Sequence, residues 1–318
     1  MLNHIIHRLF QGAIVLILLS FLVFFLMRLM PGDPILLYMS RSQQGQATME
    51  QIQAIRHEYG LDKPLMVQYF DWASNAVRGN LGVSIIKHTT VLSQIRQALP
   101  ITLYLGILAF ILSLIIGIPA GIFAAVKRAT LLDYVITPLS ILGVCVPVFW
   151  LGVMMAYVFG LQLHWLPIFG FTSPFENLTL SLKQMIMPVI CESLAAIAGC
   201  SRQTRSAMLE VIRQDYIRTA WAKGLTEHNV IIRHALKNAV IPVVTLAGLQ
   251  LGTIIGGSVL VETIFNIPGM GRLLVNSIFN QDYAVVQGVA IIFCAVLIFV
   301  NIVVDISYGW FDPRVRFS

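Results

Sequence analysis

Six runs of apolar residues, separated by polar stretches of very unequal length, dominate the chain. They cover 9–27, 99–126, 134–161, about 184–201, about 238–261 and 283–304. A helix needs about 20 apolar residues to cross roughly 30 Å of hydrocarbon at 1.5 Å per residue, so each run meets or approaches that length. The second and third contain no charged residue, and the fourth carries Glu192. The first has a longer apolar core than a signal peptide and runs into "RLMPGDP" rather than a small-residue cleavage site, so a retained helix is expected. The pattern predicts an all-α integral membrane protein with six transmembrane helices.

The polar stretches have patterns of their own. Thr48 with Gln51 makes a capping box ahead of Met49, Ile52, Ile55 and Tyr59, which recur at helical spacing, and Gly60 stops the turn. Pro64 starts a second helix with Leu65, Tyr69, Trp72 and Ala76 along one side, ending near "RGNLG". Both are amphipathic and must lie on something; packing on the bundle is expected, with the membrane surface or a partner as alternatives. The chain divides into a first transmembrane helix (1–29), an outer helical segment (30–98), a five-helix core (99–308) that includes an inner loop (202–237), and a tail (309–318).

Composition agrees: 57% of residues are hydrophobic and 11% charged, with a mean hydropathy of +0.81. These values lie outside the soluble globular range. The net charge of +6 is dispersed between apolar runs, which points to topology control and away from nucleic acid. Arg8, Lys127, Arg128, Arg314, Arg316 and the basic residues of 202–237 fall on one side, whereas the short loops of the other side hold Lys183 and Arg272. Both termini and the 202–237 island are therefore expected inside. Prolines 119, 138, 147, 188 and 242 lie within or at the ends of spans and suit bent helices around a pathway.

Cys145, Cys191, Cys200 and Cys294 all lie in apolar segments without metal or disulfide spacing and are expected to be small buried side chains. The seven histidines are too dispersed for a metal cage. There is no Gly-rich phosphate loop, triad or paired carboxylate, so neither catalysis nor a cofactor is expected on this chain. A secondary transporter would need ionisable groups in mid-membrane, where Glu192 stands alone, and an intramembrane enzyme would need a nucleophile and base. Glu192 is a candidate pathway residue that can equally bond a neighbouring helix. Glu262, at the outer end of the fifth run, is a weaker candidate of the same kind.

The island is long for a passive connector, and charged residues are more than twice as frequent in it as in the whole chain. Leu209, Ile212, Tyr216, Thr219 and Ala220 recur every three or four residues and predict one helix face. Gly224 reads as a left-handed C-cap, and Thr226 caps the next helix with Glu227 at its positive end. A lean turn at Ala220 and Ala222, ringed by Asp215, Arg218, Lys223 and Glu227, suits insertion into a cleft on another protein. A basic surface helix on anionic lipid is the alternative.

The island's "DYIRTAWAKGL" (215–225), followed by "HALKNAVIP" (234–242), resembles the cytoplasmic EAA loop of ABC importer permeases of the dipeptide, oligopeptide and nickel branch. The resemblance extends to "RLMPGDP" (28–34), "GLDKPLMVQY" (60–69), "NLGVS" (80–84), "IFNIPGMGRLLVNSI" (264–278), "QDYAVVQG" (281–288) and "DPRVR" (312–316). Where the general pattern has Glu-Ala-Ala, this chain has Arg218, Thr219 and Ala220, as that branch does. The resemblance implies the type I importer permease fold, with 30–98 as a periplasmic insertion, in the bacterial inner membrane with cytoplasmic termini. It implies a non-catalytic subunit for di- or oligopeptides, with nickel or a metal chelate as the alternative. The implied partners are a second, homologous permease, two ATPase subunits that bind the ATP and Mg, and a periplasmic or lipid-anchored substrate-binding protein. Asp215, Tyr216, Arg218, Thr219, Ala220, Lys223 and Gly224 then fall in the helix that couples the ATPase to the spans.

Overall fold

The computed structural model describes residues 2–29, 35–36 and 49–311. The Thr48 cap, segment 30–34 and segment 312–316 lie outside the described residues. Helices dominate, and the only strand-like pairing among the described residues is an isolated antiparallel bridge between Val83 and Thr90.

Among the described residues, four continuous helices are long and apolar enough to cross a bilayer, and two bent pairs bring the number to six if each is one span. The continuous ones are α1 (Leu2–Leu29), α4 (Val91–Val126), α7 (Leu178–Ile212) and α11 (Tyr283–Phe311). The third run is broken. α5 (Leu131–Cys145) and α6 (Val148–Met155), the latter wound on through a π-turn to Gln162, meet at 100°. Pro147 supplies no N–H, and it holds Val146 extended at φ −72°, ψ 122°. Proline forces this on its predecessor and so ends α5. A 49° bend ahead of Pro242 marks the fifth span, whose main helix is α9 (Lys237–Ile264).

α7 corrects the expected boundary at 202. No breaker follows the fourth apolar run, so the helix continues to Ile212 and carries the first third of the island with it. The expected tail boundary likewise falls inside α11.

Two compact units divide the described chain, with breaks at 101/102, 267/268 and 298/299, so α4 and α11 contribute to both. In the first unit, α2 (Met49–Glu58) ends at Gly60, whose φ of +63° matches the expected stop. α3 (Leu65–Val77) follows Pro64 and lies on α1. Tyr69 stands edge-on to Phe21 and Phe24, with centroids 5.5 and 5.3 Å apart, and its hydroxyl bonds Ser20 Oγ at 3.0 Å. Leu65, expected on this packed face, points outward instead. The N-terminal end of α4 starts earlier than expected because Val91, Ile95 and Ala98 have partners to bury against. These are Leu81, Met270 of α10 (Met270–Phe279), Val285 and Val289.

In the second unit, α7 is the centre, packing chiefly on α9 and then on α5. Small residues permit the contacts: a Cβ on Gly121 would lie 2.5 Å from the Ser201 carbonyl, and one on Gly143 would lie 3.2 Å from Ala198. Close approach at small residues is how helices associate where lipid removes the hydrophobic drive. Cys191 and Cys200 are buried as expected, but Cys145 is exposed and Cys294 only half-buried. Both sit in greasy outward-facing stretches, where an apolar environment does not require burial in protein.

Candidate functional site

The island folds as an elbow. α7 ends at Ile212, Arg213 and Gln214 turn the chain, and α8 runs Asp215–Ala222. The expected single face from Leu209 to Ala220 is thus split between two helices. Ile217 (1% exposed) and Ala220 are the residues α8 buries. They pack with Ala125, Ala207, Met208, Val230, Ala235 and Ala239, from the C-terminal ends of α4 and α7, the Val230–Leu236 segment and the start of α9.

The C-terminus of α8 closes as a Schellman motif. Gly224 N donates to Trp221 O at 2.9 Å and Leu225 N to Ala220 O at 3.4 Å, with Gly224 at φ +76°. Thr226 extends the chain but makes no side-chain cap, contrary to expectation. The expected second helix is one turn, Glu227–Asn229, that winds through a π-turn over Val230–Leu236 directly into α9. The elbow is therefore continuous with a membrane helix at each end.

The opposite face of α8 is open and carries Asp215, Arg218, Thr219 and Ala222, all exposed. Tyr216 and Trp221 (45% exposed) flank the buried edge on its two sides, with Leu225 just beyond. Asn238 Nδ2 donates to the Tyr216 hydroxyl at 2.7 Å, tying the helix to α9. Asp215 sits in the first turn, where the helix dipole favours a carboxylate. It accepts from Arg218 Nη1 at 3.3 Å, and Thr219 Oγ1 donates to the Asp215 carbonyl at 3.0 Å. Both charges of that pair are strongly exposed, so it orients the rim and adds little stability. Lys223 caps the helix, and a Cβ on Gly224 would meet nothing within 4 Å.

Behind the elbow is an ion pair that the sequence reading did not single out. Asp133, near the start of α5, receives Arg205 Nε at 2.8 Å and Nη2 at 2.9 Å. It also accepts from the Ala129 backbone N–H at 3.1 Å and Thr137 Oγ1 at 2.9 Å. Hydrophobic periodicity does not signal a pair 72 residues apart in sequence.

At membrane depth, Glu192 is 9% exposed, and its Oε2 has no hydrogen-bond partner. It lines a cavity of about 320 Å³ with Val148, Ala195, Ala196, Gln250, Thr253, Ile254 and Leu260. Gln250 Oε1 is unpartnered too. The space for this amide exists because residue 199 is glycine: a Cβ there would lie 2.4 Å from Gln250 Nε2. Two unanswered acceptors in one cavity suit a donor such as a protonated amine or water. Glu262 is different. It is fully buried, accepts from Thr102 Oγ1 at 2.6 Å and does not line this cavity, so it faces protein. No group of three metal-ligating side chains occurs among the described residues.

Apolar helices of crossing length, broken spans and a folded polar elbow define a multi-pass membrane protein. Residues 117–317 match the family described as binding-protein-dependent transport system inner membrane component, and 1–106 match its N-terminal family. The chain belongs to that family. It is 38% identical over 314 residues to a probable peptide ABC transporter permease protein of Sinorhizobium fredii, covering 99% of each chain. It is 39% identical to the oligopeptide transport system permease protein AppB of Bacillus subtilis and 38% to the glutathione transport system permease protein GsiC of Escherichia coli, covering 100% of each chain in both cases. Among solved structures, an inward-facing MetNI methionine ABC transporter matches with TM-score 0.57 and 17% identity, covering 70% of this chain and 97% of that one. The expected importer permease fold is thus the observed one, and membership implies ATPase and substrate-binding partners in general.

Proposed function

We propose that this chain is a non-catalytic peptide permease subunit whose elbow, 213–229, receives the stroke of a separate ATPase. One observation carries the reading. α8 is anchored by Ile217 and Ala220 into the ends of the membrane helices, while Asp215, Arg218 and Thr219 are exposed on the face opposite and Tyr216 and Trp221 on its two flanks. An ATPase acts only through contacts that differ between its open and closed states, so it needs a rigid lever with a free face. Asp215, Arg218 and Thr219 form that free face, Lys223 lies at its end, and Gly224 closes the helix. The ATP and Mg belong to the ATPase pair, and this chain holds no cofactor. A second, homologous permease completes the pathway, a periplasmic or lipid-anchored binding protein delivers substrate, and both termini lie in the cytoplasm of a bacterium's inner membrane. Relatives named for peptides and glutathione support a peptide over nickel or a chelate.

The test is uptake by proteoliposomes holding the full complex. Dipeptide should accumulate only with ATP, and binding to the ATPase should be lost when Trp221 is replaced by Asp. Peptide movement by this chain without an ATPase would refute the reading. Glu192 is the pathway residue of this proposal. E192Q keeps the shape of the side chain but removes its charge, and it should lower uptake of peptides with a free amino terminus about tenfold, the value of one charge-assisted hydrogen bond. N-acetylated peptides should be affected little. Equal uptake of both by E192Q and the unaltered complex assigns Glu192 a purely structural role.

A further inference from the structure

The first unit holds a second cavity, of about 330 Å³, lined by Arg28, Lys63, Gln68, Trp72 and Gln287, with Glu58 and Asp71 also on its wall. Three buried donor atoms on its lining have no hydrogen-bond partner: Arg28 Nη1, Trp72 Nε1 and Gln287 Nε2. Guanidinium and indole nitrogens donate and cannot accept, so only an acceptor can satisfy them. Gln287 is 2% exposed, beyond the easy reach of bulk water.

The surroundings hold these donors in place. Arg28 lies against the Phe24 ring, 3.7 Å from its centroid, and donates through Nε to Gln68 Oε1 at 3.0 Å. Gln68 spends its own N–H groups on the Leu61 and Lys63 carbonyls, at 3.3 and 2.7 Å. Asp71 is bonded to Lys63 at 2.7 Å. Three residues of one cavity lining, Arg28, Trp72 and Gln287, therefore each hold a donor that the protein leaves unanswered.

We propose that this cavity is a binding site for an anionic oxygen group, a phosphate or carboxylate, independent of the elbow and of the Glu192 cavity. Leu26 and Leu29 on α1, with Met66 and Phe70 on α3, are exposed close to it in sequence and offer apolar surface for acyl chains. They favour a phospholipid headgroup over a small soluble anion as the source. Leaving a buried charge unanswered is costly, whereas a charge-assisted pair is strong.

Thermal unfolding of the purified full chain tests this. The additives are phosphatidylglycerol, diacylglycerol with the same acyl chains, inorganic phosphate, and alanyl-alanine as free acid and as C-terminal amide. The variants are W72F, which keeps the ring but loses the donor, and R28Q; W72F alone suffices if R28Q does not fold. Phosphatidylglycerol should stabilise where diacylglycerol does not, and W72F should raise the half-saturating concentration about tenfold. Stabilisation by inorganic phosphate or the free-acid dipeptide, lost in W72F, supports the anion site and assigns it a soluble source. Equal stabilisation by the two lipids without any effect of soluble anions, or a response unchanged in W72F, overturns the proposal.

Discussion

Replacing Gly224 with proline is expected to reduce ATP-driven uptake by the full complex to background while the chain still inserts. Two features of the elbow exclude proline. Its φ is +76°, a region proline cannot enter because its ring fixes φ near −65°. Its N–H closes the turn on Trp221 O at 2.9 Å, and proline has no N–H to give. Alanine at the same site meets no obstruction and should cost only about 1–2 kcal/mol, the penalty of a left-handed L-residue. G224A should therefore transport at reduced rate. A G224P complex with normal uptake would show that α8 does not need its closed end to transmit force.

The second large effect is expected at Asp133. D133A removes four hydrogen bonds and strands the Arg205 guanidinium. Removing one partner of a buried pair costs about 3–5 kcal/mol. With Arg205 still 28% exposed, the low end, about 3 kcal/mol, is expected in denaturant unfolding of the purified chain. Replacing both residues with leucine-sized apolar groups should recover part of that loss, since no lone charge is left behind. If D133A and R205A each cost under about 1 kcal/mol, within the range of surface pairs, the bidentate geometry contributes no more than an exposed pair would.

Some of this was legible in the letters, for reasons that can be named. Apolar run length announced α1, α4, α7 and α11 because a bilayer imposes length on every span. Gly60 and Gly224 announced two helix ends because few other residues enter the left-handed region. Periodicity misread 209–220 because Leu209 and Ile212 belong to α7 and Ile217 to α8. Both sets bury against one cluster, so the apolar spacing continues across a turn that Arg213 and Gln214 do not mark with glycine or proline. The 100° corner was hidden because Pro147 and prolines 119, 138, 188 and 242 look alike in sequence, although Pro119, Pro138, Pro188 and Pro242 all sit inside helices. Asp133–Arg205 and the donors Arg28, Trp72 and Gln287 were invisible because each grouping depends on tertiary approach across distant segments.

The spans differ in how much of their surface their own chain covers: 61% of the most apolar window of α7 is buried, against 11% for α1. Mutational drift should be tolerated unequally as a result. Along α1 most greasy letters are interchangeable, since fluid acyl chains reshape themselves around any of them. Along α7 an added methyl at residue 199 would lie 2.4 Å from Gln250 Nε2, so that segment should keep its particular volumes while the one at the amino end keeps only its oiliness.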